Sequence, residues 1–136
     1  MQTFVSPPTL APDAAIDLQL HTTYSDGNWS ARELLDYVAA EGVDLVAVTD
    51  HDRADTAAEV RCLADERRVH LLPAVEMSSE WEEKPMDLLC YGFDPERNAL
   101  EPLAEATRRE QLENLHGGRP RCGAPALLPT GARSCP

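Results

Sequence analysis

The sequence has few basic residues and no long apolar run, and these two shortages exclude several classes of function. Its 12 basic residues against 24 acidic ones give a formal net charge of −12 (12 − 24). Binding of nucleic acid or of an anionic membrane generally needs a basic patch, so we expect neither partner. No apolar run approaches about 18 residues, the length that a membrane-spanning helix needs. The first residues also lack the basic and apolar regions of a secretory signal, and we expect a cytoplasmic protein.

Paired cysteines and a glycine-rich phosphate loop are absent from the sequence as well. The four cysteines are widely spaced and none forms a Cys-x-x-Cys pair, which in a cytosolic protein indicates free thiols. Without a glycine-rich loop, a phosphate group would have to be bound in another way, for example by metal ions, whose charge can reverse the local sign of an acidic site.

A chain of 136 residues has room for one domain with a modest core. Residues 1–14 are proline-rich and aperiodic, and we predict a flexible leader. Residues 117–136 contain four Gly, four Pro, three Arg and no acidic residue. Such a segment cannot bury enough apolar surface to order itself, so we predict a disordered tail. The folded domain should therefore span residues 15–116.

Strand and helix patterns alternate through the first half of that domain. Apolar segments at residues 15–20, 43–49 and 70–75 predict strands, and helical spacing at residues 30–42 and 55–68 predicts the helices between them. Strand, helix, strand, helix, strand with short connections is the βαβαβ pattern of an α/β fold with a parallel sheet.

Local signals mark the ends of these two helices. Ser30 and Glu33 have the spacing of a capping box at the start of the first helix, and Gly42 is placed to end it. Asp55 is a candidate N-cap for the second helix.

A fourth strand is predicted at residues 87–93, but it follows the third strand differently. The polar segment at residues 77–86 is too short for a crossover helix, and a parallel crossover needs a dozen residues or more. We therefore expect the fourth strand to run antiparallel to the third, which would bring Asp87 beside Glu76. Residues 95–116 should form a third helix. The prediction is about four strands and three helices.

Metal-compatible side chains follow three successive strands at the point where each strand ends: His21 and Asp26, then His51, then Glu76. The carboxyl ends of parallel strands meet at one edge of a sheet, where α/β proteins bind ligands. Imidazole nitrogens and carboxylate oxygens together suit Zn, Fe and Mn. The sequence thus predicts a metal site, although Asp26 with Gly27 could equally be turn residues.

Two further carboxylates flank His51 in the sequence. Asp50 and Asp52 are the candidates for a catalytic role, in which one of them would orient the imidazole of His51. Either could instead cap the helix that follows. His70 begins a strand at the opposite edge and His116 borders the tail, so we predict that both are ordinary surface residues.

Four segments in order resemble the motifs of the PHP (polymerase and histidinol phosphatase) family. They are His21-Thr22-Thr23-Tyr24-Ser25-Asp26-Gly27, Val48-Thr49-Asp50-His51-Asp52, Ala74-Val75-Glu76 and Asp87-Leu88-Leu89-Cys90-Tyr91-Gly92. The resemblance covers about residues 15–95. It implies a distorted (β/α)7 barrel, of which this chain would supply an incomplete part, and hydrolysis of phosphoesters at a site of two or three divalent ions (Zn, Mn or Fe).

The resemblance also implies roles for individual residues. His21 would be a ligand from the first motif, Asp26 and His51 would help to hold one metal, and Glu76 would bridge two. Asp87 stands where many members have a histidine ligand, and a carboxylate can substitute. Gln19 departs from the usual His-x-His of the first motif, because an amide is a poor ligand for a transition metal. The later ligands of the family have no counterpart after residue 93.

Two functions are consistent with this sequence. The first is a metal-dependent phosphoesterase that acts on a small phosphorylated metabolite or nucleotide through a metal-activated water. The second is a catalytically incomplete PHP fragment that serves as a metal-binding or interaction module. An incomplete barrel leaves an open sheet edge, through which copies of the chain could associate.

Overall fold

The computed structural model describes residues 9–117 as a mixed α/β structure with three helices. This confirms the predicted α/β class and its three helices, whereas the incomplete barrel stays a prediction. In chain order the elements are β1 (Ile16–Leu20), α1 (Ala31–Glu41), β2 (Leu45–Val48), a 3₁₀ turn (Ala54–Thr56), α2 (Ala57–Arg67), β3 (His70–Leu71), β4 (Ala74–Trp81), β5 (Lys84–Tyr91) and α3 (Leu100–Gly117). The predicted leader and tail lie largely outside the described residues, although Gly117 still belongs to α3.

The first three strands form a parallel sheet in the order β1-β2-β3, as the alternating pattern predicted. β2 lies in the middle, and its residues Val46 and Ala47 are fully buried. The near-continuous apolar sequence of β2 reflects this position, since a strand covered on both faces needs apolar side chains on both. α1 and α2 connect the strands and pack against the sheet around Leu35, Val46 and Val60.

Both predicted ends of α1 are confirmed. The Ser30 side chain accepts a hydrogen bond from the backbone N–H of Glu33, and the Glu33 carboxylate accepts one from the backbone of Ser30, which is a complete capping box. This bonding to Ser30 lowers the pKa of Glu33. Gly42 follows the helix at φ +70°, a left-handed conformation that favours glycine because it has no Cβ.

The predicted N-cap role of Asp55 is wrong. Asp55 lies within the 3₁₀ turn, and Thr56, at the N-cap of α2, makes no side-chain capping bond. The Asp55 carboxylate instead lies 2.9 Å from Nε of Arg53 and 3.1 Å from Nη1 of Arg108 on α3. Hydrogen bonds between charged groups are roughly twice as strong as neutral ones, so these partners outweigh a capping bond. α2 ends at Arg67, close to the predicted limit.

The predicted third strand at residues 70–75 is divided in two. β3 ends at Leu71, and β4 begins at Ala74 in a different sheet. Pro73 lies between them and has no backbone N–H to continue a ladder. β4 then lies beside the segment that follows β2, where the backbone N–H of Asp52 donates to the carbonyl of Glu76 at 2.8 Å and His51 pairs in parallel with Glu76.

The polar segment at residues 77–86, predicted as a linker, belongs mainly to a β-hairpin. β4 and β5 pair antiparallel from Ala74↔Tyr91 to Trp81↔Lys84, which confirms the antiparallel prediction. Glu82 and Glu83 form the two-residue turn with positive φ values of 50° and 64°, as tight hairpin turns require. Asp87 pairs with Ser78, whereas Glu76 pairs with Leu89. Asp87 therefore lies two residues away from its predicted pairing with Glu76. Because side chains alternate between faces along a strand, Asp87 remains on the same face as Glu76.

The third helix begins five residues later than predicted, at Leu100 instead of residue 95. Turns occupy the intervening segment. The side-chain oxygen of Asn98 accepts hydrogen bonds from the backbone N–H groups of Leu100 and Glu101, and so caps the helix. Leu100 and Ala104 then pack against Val75 and Met77 of β4.

The outer strands of the two sheets are largely exposed. Ile16 and Leu18 of β1 are 51% and 38% exposed, and Leu88 and Leu89 of β5 are 41% and 39% exposed. Within residues 9–117 no further strand covers β1 or β5. These open edges are those at which self-association is expected, and this expectation stays a prediction.

Cys62 and Cys90 are free thiols, as expected, and the other two cysteines lie outside the described residues. Over residues 9–117, no helix combines the length and apolar character needed to cross a membrane.

Replacement of Leu35 by Ala tests the core between α1 and β2. Leu35 is completely buried, so Leu35→Ala should lower the free energy of unfolding by about 2–5 kcal/mol through lost burial and a residual cavity. Urea denaturation measures this change. Leu115→Ala is the matched control, because Leu115 is 80% exposed on α3; an equal loss in both variants would contradict the assigned core.

The Asp55 cluster predicts how stability depends on pH. Burial tends to raise the pKa of Asp55, but the hydrogen bond from Arg53 and the charges of Arg53 and Arg108 outweigh it and lower the pKa below the usual value. A carboxyl whose pKa is lower in the folded state stabilises that state above its unfolded pKa, near 4, and loses this contribution as the pH falls through its folded pKa.

Asp55→Asn should therefore destabilise the protein at pH 7 and make much less difference at pH 3. Urea unfolding at the two pH values measures the effect. Asp65→Asn, an exposed carboxylate on α2, is the control and should change stability little at either pH. An Asp55→Asn variant whose deficit is the same at pH 3 as at pH 7 would show that the carboxylate charge is not what stabilises this cluster.

Candidate metal site

The structure brings the predicted ligands His21, Asp26 and Glu76 into direct contact. His21 follows β1, Asp26 lies in the next loop and Glu76 lies in β4. Nδ1 of His21 is 3.0 Å from Oδ1 of Asp26, and Nε2 of the same ring is 3.0 Å from Oε2 of Glu76. One imidazole thus lies between two carboxylates, each next to a different ring nitrogen.

His51 completes a ring of four side chains in which imidazoles and carboxylates alternate. Its Nε2 is 3.8 Å from Oδ2 of Asp26 and 3.9 Å from Oε2 of Glu76. The centroids of the two imidazole rings are 4.9 Å apart. Four side chains from three separate segments therefore point to one place at the carboxyl edge of the parallel sheet.

Two groups of three side chains among the described residues have the spacing to hold a metal ion. In each group the ligand atoms lie within 4.8 Å of one another. The first group is His21, Asp26 and His51, and the second is His51, Glu76 and Asp87. Asp87 joins the site because its displaced register still places it on the same face of the hairpin as Glu76.

The chemistry of this donor set fits a divalent transition metal. Nδ1 of His21 is buried and makes no hydrogen bond; it lies close to Asp26, but the pair lacks hydrogen-bond alignment. A buried polar atom without a partner is costly, and a cation bound to this nitrogen would satisfy it. Mixed imidazole and carboxylate ligands are typical of Zn, Fe and Mn.

Asp50 holds the loop that carries Asp26. It is 2% exposed, and its carboxylate accepts three hydrogen bonds at 2.7 Å, from the backbone N–H and the hydroxyl of Thr22 and from the hydroxyl of Ser25. These contacts are those of a positioning residue. They fix the path of the chain between His21 and Asp26, and the catalytic role of Asp50 stays a prediction.

Asp52 connects β4 with α3. Its side chain is almost fully buried and accepts hydrogen bonds from the backbone N–H of Ser78 at 2.9 Å and from Nε2 of Gln111 at 3.2 Å. Arg108 donates to its backbone carbonyl. Asp52 has a positive φ of 51°, which is uncommon for a residue other than glycine. Its predicted catalytic role is likewise untested, and its contacts are structural.

Three residues of the site make contacts that were not predicted from the sequence, although the motifs contain all three: Gln19, Gly27 and Thr49. Gln19 Nε2 lies 3.4 Å from Oε2 of Glu76, and the buried Thr49 hydroxyl lies 3.4 Å from Nε2 of His21. Gly27 is required because a Cβ there would lie 2.3 Å from the carbonyl oxygen of His21. The alternation of side chains from β1 to His21 places Gln19 on the same face as His21, but no local pattern specifies its contact with Glu76.

Arg53 contacts Tyr24, which lies in the same loop between His21 and Asp26. The Arg53 guanidinium lies 5.3 Å from the centre of the Tyr24 ring and donates to the Tyr24 carbonyl at 3.0 Å. Burial, a hydrogen bond to Glu59 and the negative charge of Glu59 together raise the pKa of Tyr24 to about 12. The phenol therefore stays neutral over the physiological pH range. His70, expected to be a surface residue, is exposed in β3.

Asp50→Asn should weaken metal binding without removing a ligand. The amide keeps the size of the side chain but presents a donor where two acceptor oxygens are needed, so the loop between His21 and Asp26 loses its anchor. Loss of such supporting contacts typically lowers metal affinity by about 10–100-fold. Calorimetric titration with Zn²⁺ measures the change. Asp44→Asn, at an exposed carboxylate that bonds Ala15, is the control; equal affinity in both variants would contradict this role.

No family model matches the sequence, but individual relatives do. The chain is 35% identical over 100 residues to a 3′,5′-nucleoside bisphosphate phosphatase of Chromobacterium violaceum, an alignment covering 74% of this chain and 35% of that protein. It is 31% identical over 112 residues to a 5′-3′ exoribonuclease of Haemophilus influenzae, covering 80% and 41% respectively. The chain thus spans between a third and about two fifths of the length of these curated relatives.

Solved structures give the same result. A structure described as an amidohydrolase from Chromobacterium violaceum, with bound sulfate and no metal, matches with a TM-score of 0.69 and 34% identity, covering 76% of this chain and 36% of that one. One described as a metal-dependent phosphoesterase from Bifidobacterium adolescentis matches with a TM-score of 0.68 and 26% identity over the same shares. The resemblance to the PHP family that the motifs indicated is thereby confirmed over about three quarters of this chain.

Proposed function

We propose that this site takes part in the metal-dependent hydrolysis of a phosphoester. The observation that carries the proposal is the convergence of two imidazoles and two carboxylates, from His21, His51, Asp26 and Glu76, with the closest nitrogen–oxygen pairs 3.0 Å apart. Relatives that are phosphatases and exoribonucleases support this reaction class.

The chain's own residues would bind and orient the reacting groups. A divalent ion in such a site lowers the pKa of a bound water and neutralises charge on phosphoryl oxygens. His21, Asp26 and His51 would hold it, with Glu76 and Asp87 beside them, and the spacing of these side chains supports this. Asp50 keeps the loop in position through its three hydrogen bonds. This mechanism requires no protein nucleophile.

We propose that the substrate is a nucleotide or another small phosphorylated metabolite. One relative is a phosphatase of nucleoside bisphosphates, which supports a small nucleotide. The expectation that nucleic acid is excluded is not supported, because another relative is an exoribonuclease. The net charge of −12 argues against extended contacts with a polynucleotide backbone. A short 5′ or 3′ end of a polynucleotide, bound only within the site, is still compatible with this charge.

The donor set supports Zn, Mn or Fe as the ion. Elemental analysis of the purified protein, combined with a phosphatase assay on the same sample, would identify the metal that supports turnover. The alternative of a metal-binding or interaction module without activity is not favoured, because the relatives described above are named as hydrolases. The same assay separates the two functions.

His51→Ala and Glu76→Ala should each lower metal-dependent phosphate release by at least about 100-fold, since loss of supporting residues alone costs 10–100-fold in such sites. Release of inorganic phosphate from a panel of nucleoside mono- and bisphosphates, with Mn²⁺ or Zn²⁺ added, measures this. His70→Ala is the matched control, because His70 is exposed in β3. If the unmodified protein releases no phosphate from any of these substrates with either metal, the proposed function is wrong.

A further inference from the structure

Gln19 is positioned to act on the metal site, although it is not a suitable ligand for a transition metal. Gln19 lies in β1, and His21 directly follows that strand. The two residues are two positions apart, so their side chains are on the same face. Nε2 of Gln19 is 3.4 Å from Oε2 of Glu76. A carboxylate only accepts hydrogen bonds, and the amide nitrogen only donates them. The amide therefore presents its NH₂ group to Glu76.

The same oxygen of Glu76 already has two other nitrogen neighbours. Nε2 of His21 lies 3.0 Å from Oε2 of Glu76, and Nε2 of His51 lies 3.9 Å from it. With Gln19 added, three nitrogens surround one carboxylate oxygen. The protein itself thus holds the carboxylate of Glu76 in place.

His21 is oriented for metal binding through its other nitrogen. If Nε2 carries the proton and donates it towards Glu76, Nδ1 is left as a lone-pair nitrogen beside Asp26. Nδ1 is the buried atom that makes no hydrogen bond. Metal-bound histidines commonly donate their second ring nitrogen to a carboxylate, which fixes the tautomer and raises the basicity of the ligand. The contacts of His21 match this arrangement.

The two candidate donor groups cannot both be used at once. His51 belongs to both of them, its Nε2 faces both Asp26 and Glu76, and one ring nitrogen binds a single ion. If the first ion uses His51, the second group of described residues has only Glu76 and Asp87 left to bind another ion. The group formed by His21, Asp26 and His51 keeps all three ligands and contains the unsatisfied Nδ1.

We propose that this site, on which the proposed function rests, holds one divalent ion per chain between His21 Nδ1, Asp26 and His51, and that Gln19 sets this number. Glu76 orients His21 and is itself held by Gln19. An imidazole in place of Gln19 would supply a nitrogen beside Glu76, and with Glu76 and Asp87 it would complete a second donor group that does not depend on His51.

The test is a count of bound ions. The full 136-residue chain is stripped with a chelator, reloaded with Zn²⁺ or Co²⁺, dialysed and measured by elemental analysis, with the visible absorption of Co²⁺ as a second signal. We expect one ion per chain in the unmodified protein and two in Gln19→His. Glu113→His, which adds an imidazole at an exposed position of α3, is the control and should leave the count at one.

Two ions per unmodified chain, or one ion in a folded Gln19→His variant, would overturn the inference. Gln19→Ala provides a second test that adds no ligand: it should keep one ion but weaken its affinity about 10-fold or more, as expected when a supporting contact is lost. An unchanged affinity would show that Gln19 does not support the site. ¹⁵N chemical shifts of His21 in the Zn²⁺ form should identify Nδ1 as the ligand, and Nε2 ligation would contradict the arrangement.

The ion count and the phosphatase assay fail independently. One ion per chain without turnover would leave this inference standing and overturn the proposed function. Two ions with turnover would do the reverse. A chain that binds neither Zn²⁺ nor Co²⁺ would overturn this inference, and the phosphatase assay with Mn²⁺ would then decide the proposed function.

Discussion

The buried carboxylate of Asp50 is the interaction on which the site depends. It follows β2 and binds the loop that follows β1 through Thr22 and Ser25. The ends of two adjacent parallel strands are thereby connected by side-chain hydrogen bonds as well as by the sheet. Because His21 and Asp26 lie on either side of the bound segment, their positions relative to His51 follow from this one contact. Gly27 lets the loop return close enough to His21 for the contact to form.

Much of the first half of the fold could be predicted because its signals are local. The capping box of Ser30, the glycine after α1 and the apolar sequence of β2 each depend on neighbours in the chain. The convergence of His21, His51 and Glu76 could be predicted for a different reason. In a parallel sheet, the position of a residue at the end of a strand determines the edge at which it lies.

The features that could not be predicted depend on residues far apart in the sequence. Asp55 is a residue type common at N-caps and precedes a helical pattern. Its carboxylate instead pairs with Arg108, which lies more than fifty residues later in the chain. The hairpin has a polar sequence typical of a loop. It forms a pair of strands because the inner end of β4 is packed against α3 and bonded to the segment after β2. The contact between Gln19 and Glu76 requires the register of two strands in different sheets, which no local pattern specifies.

The division of the third strand at Pro73 also has a thermodynamic consequence. His21 and His51 follow strands of the parallel sheet, whereas Glu76 belongs to the hairpin. The two parts are joined at the metal site by few backbone contacts, among them Asp52 with Glu76. An ion that binds well only when both parts are in place stabilises that arrangement by an amount that grows with the logarithm of its concentration. The hairpin should therefore become more resistant to unfolding as the concentration of free metal rises.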